Sequence, residues 1–140
     1  MPRFEDIVGH ETVVAQLQAA IDADRVSHAY LFAGPAGVGK MTTARAFAQR
    51  LINPADDPRQ RALLEQDAHP DLHTIAKELA AFSEDASLRS RKQRNIPIDL
   101  LRERMLGGEV GSKRIDPLVA LAPSQGKRRV FLLDEAELLA

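Results

Sequence analysis

The chain contains no cysteine and no tryptophan among its 140 residues. The first absence excludes disulfides and cysteine-held zinc, and it fits a reducing compartment. The second, with only one Tyr and five Phe, leaves the core to Leu, Ile, Val and Ala. A charge excess is missing as well, since 19 Lys and Arg face 20 Asp and Glu. No global field draws such a chain to nucleic acid or membrane, so any DNA contact must come from local patches or partner chains. No stretch approaches the roughly 18 apolar residues of a membrane span. The opening residues, Met1-Pro2-Arg3-Phe4-Glu5-Asp6, lack a basic segment followed by an apolar run. No secretory leader is therefore expected, and the cytoplasm is the expected location.

What is present is an ordinary apolar share of 44% and enough length for one domain with a real core. From Thr12 to Ala23, residues Val13, Val14, Leu17, Ala20 and Ile21 recur at helical spacing. Ala29-Tyr30-Leu31-Phe32-Ala33 is a short continuous apolar run, the pattern of a buried parallel strand. A second helix is predicted from about Thr42, with Ala44, Phe47, Ala48 and Leu51 on one side, ending at Asn53-Pro54. Further strands are expected at 72–76, after His69-Pro70-Asp71, and at Val130 to Leu133. The polar stretch 83–95 reads as an exposed loop or frayed helix. Ile98 to Met105 reads as a short helix with Asp99 as N-cap, stopped by Gly107-Gly108. Phe47 and Phe131 read as core, and His28 as the start of a strand. Strands alternating with helices predict an α/β fold with a mainly parallel sheet.

Gly34-Pro35-Ala36-Gly37-Val38-Gly39-Lys40 matches G-x-x-x-x-G-K. Glycines let a phosphate approach the backbone, successive N–H groups form an anion nest, and the following helix offers its positive end. Lys40 adds a full charge near the β and γ oxygens. The alternative, a glycine-rich turn with a chance lysine, is disfavoured because the loop lies between a predicted strand and a predicted helix. The pattern then calls for Ser or Thr as a Mg²⁺ ligand, but here Met41 stands, with Thr42 next. A thioether is a poor ligand for a hard cation, and Thr42 lies about 100° further round the helix. Either Mg²⁺ is held through water and the nucleotide with weakened hydrolysis, or the site binds nucleotide weakly or not at all. At the end of the last strand, Asp134 is the candidate for orienting the metal and Glu135 for polarising the attacking water. Glu137 reads as a solvated helix residue.

Arg89, Arg91, Lys92 and Arg94, with Arg102, Arg104, Lys113 and Arg114, could meet DNA phosphates. A solvated face is the simpler reading, and no aromatics interleave there for base stacking. His69 and His73 fall on a turn and a strand, an arrangement that disfavours a shared metal.

Several segments occur together in order: Phe4-Glu5-Asp6-Ile7-Val8-Gly9-His10, Ser27-His28-Ala29-Tyr30-Leu31-Phe32, the Gly34–Lys40 loop, His69-Pro70-Asp71, and Val130 to Glu137. In this arrangement the chain resembles the first part of bacterial clamp-loader AAA+ subunits, the delta-prime and gamma/tau subunits of DNA polymerase III. The resemblance implies an N-terminal P-loop nucleotide-binding core spanning residues 1–140. Ile7, Val8 and Gly9 would lie against adenine, the loop through Thr42 against phosphates, and Asp134 and Glu135 near the metal. It implies ATP and a weakly held or absent Mg²⁺, with other clamp-loader subunits, a sliding clamp and primed DNA as partners. Family members usually carry a cysteine zinc module before the His-Pro-Asp segment. Residues 56–67 occupy that stretch without cysteine, so no zinc is expected. The Met41 departure favours the delta-prime type, which tolerates a defective ATP site. The alternatives are a working gamma/tau-type ATPase and an unrelated P-loop kinase or switch. The family's sensor strand, arginine finger, lid and collar would lie beyond residue 140. The resulting sheet is expected to have a gap or unpaired edge, abnormal pairing, or a strand-exchanged homodimer.

Overall fold

The computed structural model describes residues 1–90 and 92–139. The elements are α1 (Glu11–Asp22), α2 (Lys40–Ile52), α3 (Pro58–Glu65), β1 (Leu72–Ile75), α4 (Ala86–Arg89), α5 (Ile98–Leu101), β2 (Gly108–Val110), β3 (Lys113–Ile115) and β4 (Val130–Leu133). They fall into two compact units, Met1–Leu72 with Ser124–Val130, and His73–Pro123 with Phe131–Ala140.

The first unit is built around Phe4, Leu17, Ala46, Phe47 and Leu51, with Ile7, Val14, Ile21, Val26, Phe32 and Val130 packed against them. The helical stripe of α1 is the reason Val14, Leu17 and Ile21 meet this core, whereas Val13 stays 39% exposed. The rings of Phe47 in α2 and Tyr30 meet at right angles at 5.0 Å, and Phe47 stacks near Phe4 at 6.3 Å. Arg50 covers Phe4 and pairs with Glu5 at 2.7 Å. Asp57 caps α3 by accepting the Gln60 N–H at 2.9 Å, and Pro58 occupies the first helical position.

The expected strand at 29–33 does not form. This segment finds no strand partner among the described residues, and Leu31 is 83% exposed. A continuous apolar run predicts an extended backbone, but a strand also needs a neighbour for its N–H and C=O groups, which the run does not supply. Of the run, Phe32 packs against the core cluster and Tyr30 meets Phe47 with its ring.

The 124–126 segment is fixed by one carboxylate. Asp71 is fully buried and accepts the N–H groups of Ser124 (2.6 Å), Gln125 (2.8 Å) and Gly126 (2.6 Å). Burial pushes its pKa up, but these three bonds and the neighbouring His69 outweigh that, so the carboxyl sits below its ordinary range. Arg129 lies 3.5 Å away. His69 accepts the Asp71 N–H through Nδ1 and meets Gln60 through Nε2, so its ring is fully used within the protein. Burial lowers the pKa of His69, against the pull of Asp71. Gly126 has no room for a side chain, since a Cβ would stand 2.5 Å from Ile52 Cγ2 and 2.8 Å from Ile52 O.

β1 and β4 pair as a two-stranded sheet. Val130 N–H donates to Asp71 O and Asp134 N–H to Ile75 O, the same offset along both strands, so the pair is parallel. The second unit's core is Ile75, Ile96, Leu100 and Leu101, packed by Leu79, Met105, Phe131, Leu133 and Leu138. His73 stacks on Phe131 at 4.8 Å.

Two further expectations are revised in this unit. Of the two readings of 83–95, the helical one holds over α4, but its Leu88 is fully buried, so the stretch is not simply exposed. Arg91 of the basic run lies outside the described residues. Asp99 is not the N-cap of α5. Pro97 is, and Asp99 pairs with Arg102 at 2.8 Å from within the first turn. Gly107 does stop the helical stretch, which ends as a π-type turn over Arg102–Leu106. Beyond it, β2 and β3 form an antiparallel hairpin in register Gly108 to Ile115 and Val110 to Lys113. Its turn is Gly111-Ser112, with Gly111 at φ 60°.

Candidate phosphate-binding loop

The Gly34–Lys40 loop belongs to the first unit and feeds α2. Gly39 is the N-cap at φ 93°, ψ 29°, in the left-handed region, and open space surrounds the position of its missing Cβ. No side chain among the described residues caps the helix. Among the described residues, none of the backbone N–H groups from 34 to 42 donates to a protein acceptor. The exposed turn at 34–37, apart from Pro35, which has no N–H, and the first turn of α2 therefore present a series of unpaired donors, reinforced by the helix dipole. Lys40 bends back so that its Nζ donates to the Gly34 carbonyl, spanning the loop. Its ammonium makes no ion pair among the described residues. This arrangement of donors and one cation suits an anion with several oxygens.

The side chains after Lys40 are unequal. Met41 is half-buried, Thr42 is exposed, and Thr43 is buried with its hydroxyl donating to Gly39 O at 2.9 Å. The Thr43 hydroxyl is thus committed to the backbone. Upstream, Ile7 packs on the core, while Val8 is 88% exposed and Gly9 takes φ 83°. His10 follows, and its Nε2 lies 2.7 Å from the Val38 carbonyl oxygen.

Asp134 and Glu135 belong to the second unit. The Asp134 backbone closes the β1–β4 pairing. Glu135 sits at φ 52°, ψ 52°, at the start of a 3₁₀ turn over Ala136–Leu138. Left-handed backbone is uncommon for a residue with a Cβ. Its carboxylate is held by Lys77 Nζ at 3.2 and 3.3 Å. Among the described residues no group of three or more His, Cys, Asp or Glu could hold a metal. No helix among the described residues is long and apolar enough to cross a membrane.

Three residues carry roles that no local pattern announces. His10 has no nearby signal for its contact 28 residues away. Lys77 reaches Glu135 across 58 residues. Asp71 stands in the His-Pro-Asp segment, but its role depends on a bend more than 50 residues later.

A glycine-rich turn opening α2, a parallel β1–β4 pair and an Asp-Glu strand end are the parts of an AAA+ domain of clamp-loader type. The chain belongs to the family described as DNA polymerase III, delta subunit, which matches residues 9–140. It is 32% identical over 136 residues to the DNA polymerase III subunit gamma/tau of Mycobacterium tuberculosis, covering 97% of this chain and 21% of that protein. It is 47% identical over 60 residues to the subunit tau of Bacillus subtilis, covering 40% and 10%. A replication factor C small subunit of Haloarcula marismortui is 42% identical over 60 residues, covering 43% and 18%. The chain thus spans about a fifth of the length of the gamma/tau relatives it matches.

Proposed function

We propose that this chain serves DNA replication as a delta-prime-like clamp-loader subunit, with residues 1–140 forming the N-terminal part of its nucleotide-binding domain. Its partners on this reading are other clamp-loader subunits, a sliding clamp and primed DNA reached through the complex, and its location is the cytoplasm. The observation that carries the reading is the row of unpaired N–H groups from 34 to 42, with Lys40 folded over it. These groups fit the phosphates of ATP. Gly34, Pro35, Ala36, Gly37, Val38 and Gly39 supply backbone, Lys40 charge, Met41 and Thr42 helix N–H groups, and Val8 with Gly9 an open apolar edge beside the base. ATP supplies the binding energy that a loader converts into clamp opening.

Met41 lacks the oxygen that Mg²⁺ prefers, and the Thr43 hydroxyl is already engaged. Nucleotide binding with little dependence on Mg²⁺ and impaired hydrolysis follows. Asp134 is the proposed metal-orienting carboxylate and Glu135 the proposed water-polarising one. Zinc has no part in this reading. The unpaired 29–33 segment is also the edge that a strand-exchanged homodimer would use.

Titration with labelled ATP, with and without Mg²⁺, tests the site. Lys40→Ala should weaken binding by at least about tenfold, the scale of one lost charged hydrogen bond. Met41→Thr should make binding and turnover depend on Mg²⁺. Indifference to both changes refutes the reading.

A further inference from the structure

His10 occupies the N-cap position of α1, yet its side chain makes no capping bond. It turns instead to the phosphate loop, where Nε2 stands 2.7 Å from Val38 O. A carbonyl only accepts, so His10 must donate from Nε2–H. The Val38–Gly39 peptide is trans and planar, so its C=O and N–H point in opposite directions. Drawing the Val38 carbonyl toward His10 therefore turns the Gly39 N–H to the other side of the loop. That N–H has no protein acceptor among the described residues. Gly39 holds this orientation at φ 93°, where the peptide could otherwise flip at little steric cost because glycine has no Cβ. A flipped peptide would aim a carbonyl, not a donor, into an anion site.

From this geometry we infer that His10 is a positioning residue for the phosphate cradle: it fixes the Val38–Gly39 peptide so that the Gly39 N–H faces the bound phosphate. The inference rests on the nucleotide-binding reading and deepens it. It also ties the segment proposed to meet the base, Val8-Gly9, to the loop proposed to meet the phosphates, through the adjacent residue.

The test uses the full chain with labelled ATP and with adenosine. His10→Phe fills a similar space without a donor and should weaken ATP binding by about tenfold. Adenosine affinity and the melting temperature should stay within error of the native chain. His10→Gln, which keeps an N–H donor, should restore ATP affinity to within about threefold of native. In the native chain's amide spectrum, ATP should move the Gly39 proton further than the Val38 proton. Failure of the native chain to bind ATP overturns the nucleotide reading and this inference with it. Native binding that His10→Phe leaves unchanged, or a Gly39 proton unmoved by bound ATP, overturns this inference alone. Should His10→Phe fail to fold, the native Gly39 shift and the affinity of His10→Gln decide: both as expected support the inference, and either one failing overturns it.

Discussion

Replacing Asp71 by Asn keeps the shape and removes the charge, which makes it the sharpest probe of the first unit. In the native chain Oδ2 accepts from Gln125 and Gly126, and Oδ1 from Ser124. Hydrogen bonds to a charged acceptor contribute about 1.5–3 kcal/mol each, and those to a neutral one about 1. An Asn can aim its oxygen at the pair from Gln125 and Gly126, retaining two neutral bonds. Its amide group then faces the Ser124 N–H, donor against donor. The bonds alone fall from roughly 4.5–9 to about 2 kcal/mol, but Asn also avoids the cost of burying a charge, so the loss should be about 2–4 kcal/mol, a large part of the ~5–15 that holds a domain together. Urea unfolding followed by circular dichroism reads it directly as a shifted midpoint at unchanged slope.

Acid gives the control. The folded carboxyl titrates below the unfolded value of about 3.9, so its contribution is complete above that pH and is lost as pH falls through the lowered folded pKa. The gap between native and Asp71→Asn should therefore hold from pH 7 to about 4 and close below. A variant that unfolds at the native midpoint at pH 7, or a gap insensitive to acid, refutes the account.

Gly126→Ala should cost about 1–3 kcal/mol in the same urea assay, because its Cβ meets Ile52 at 2.5 Å; a neutral result would mean the 124–126 bend yields. Leu31→Lys should leave monomer stability within about 0.5 kcal/mol while abolishing any concentration-dependent dimer in sedimentation; a native chain that stays monomeric at high concentration removes the strand-exchange proposal.

The sequence was most legible where one periodicity decides the structure. The apolar stripes of α1 and α2 and the apolar run of β4 predicted their elements closely, β1 was expected after His69-Pro70-Asp71, and the glycine spacing located the loop before α2. It was least legible where pairing decides. Residues 29–33 have a composition like that of β4 but no strand partner among the described residues, and composition is silent on partners. The β2–β3 hairpin escaped because its strands are short and polar, although Gly111-Ser112 between them is a recognisable turn signal. Asp99 resembled a cap, yet Pro97 with its fixed φ starts the helix and leaves Asp99 to Arg102. At the candidate site, the loop residues were legible as a motif. The bonds from His10 to Val38 and from Lys77 to Glu135 were not, since each joins residues far apart in the chain.

Asp71 also acts as a knot at the neck of a long excursion. The chain leaves after residue 72 and returns at 124, and the carboxylate binds departure to return. With its ends tied, such an excursion can change length at small entropic expense, about 0.6 kcal/mol for each doubling. Insertions and deletions in its exposed 119–123 stretch, away from the core at Ile75, Ile96, Leu100 and Leu101, should thus be tolerated far better than a single substitution at the knot.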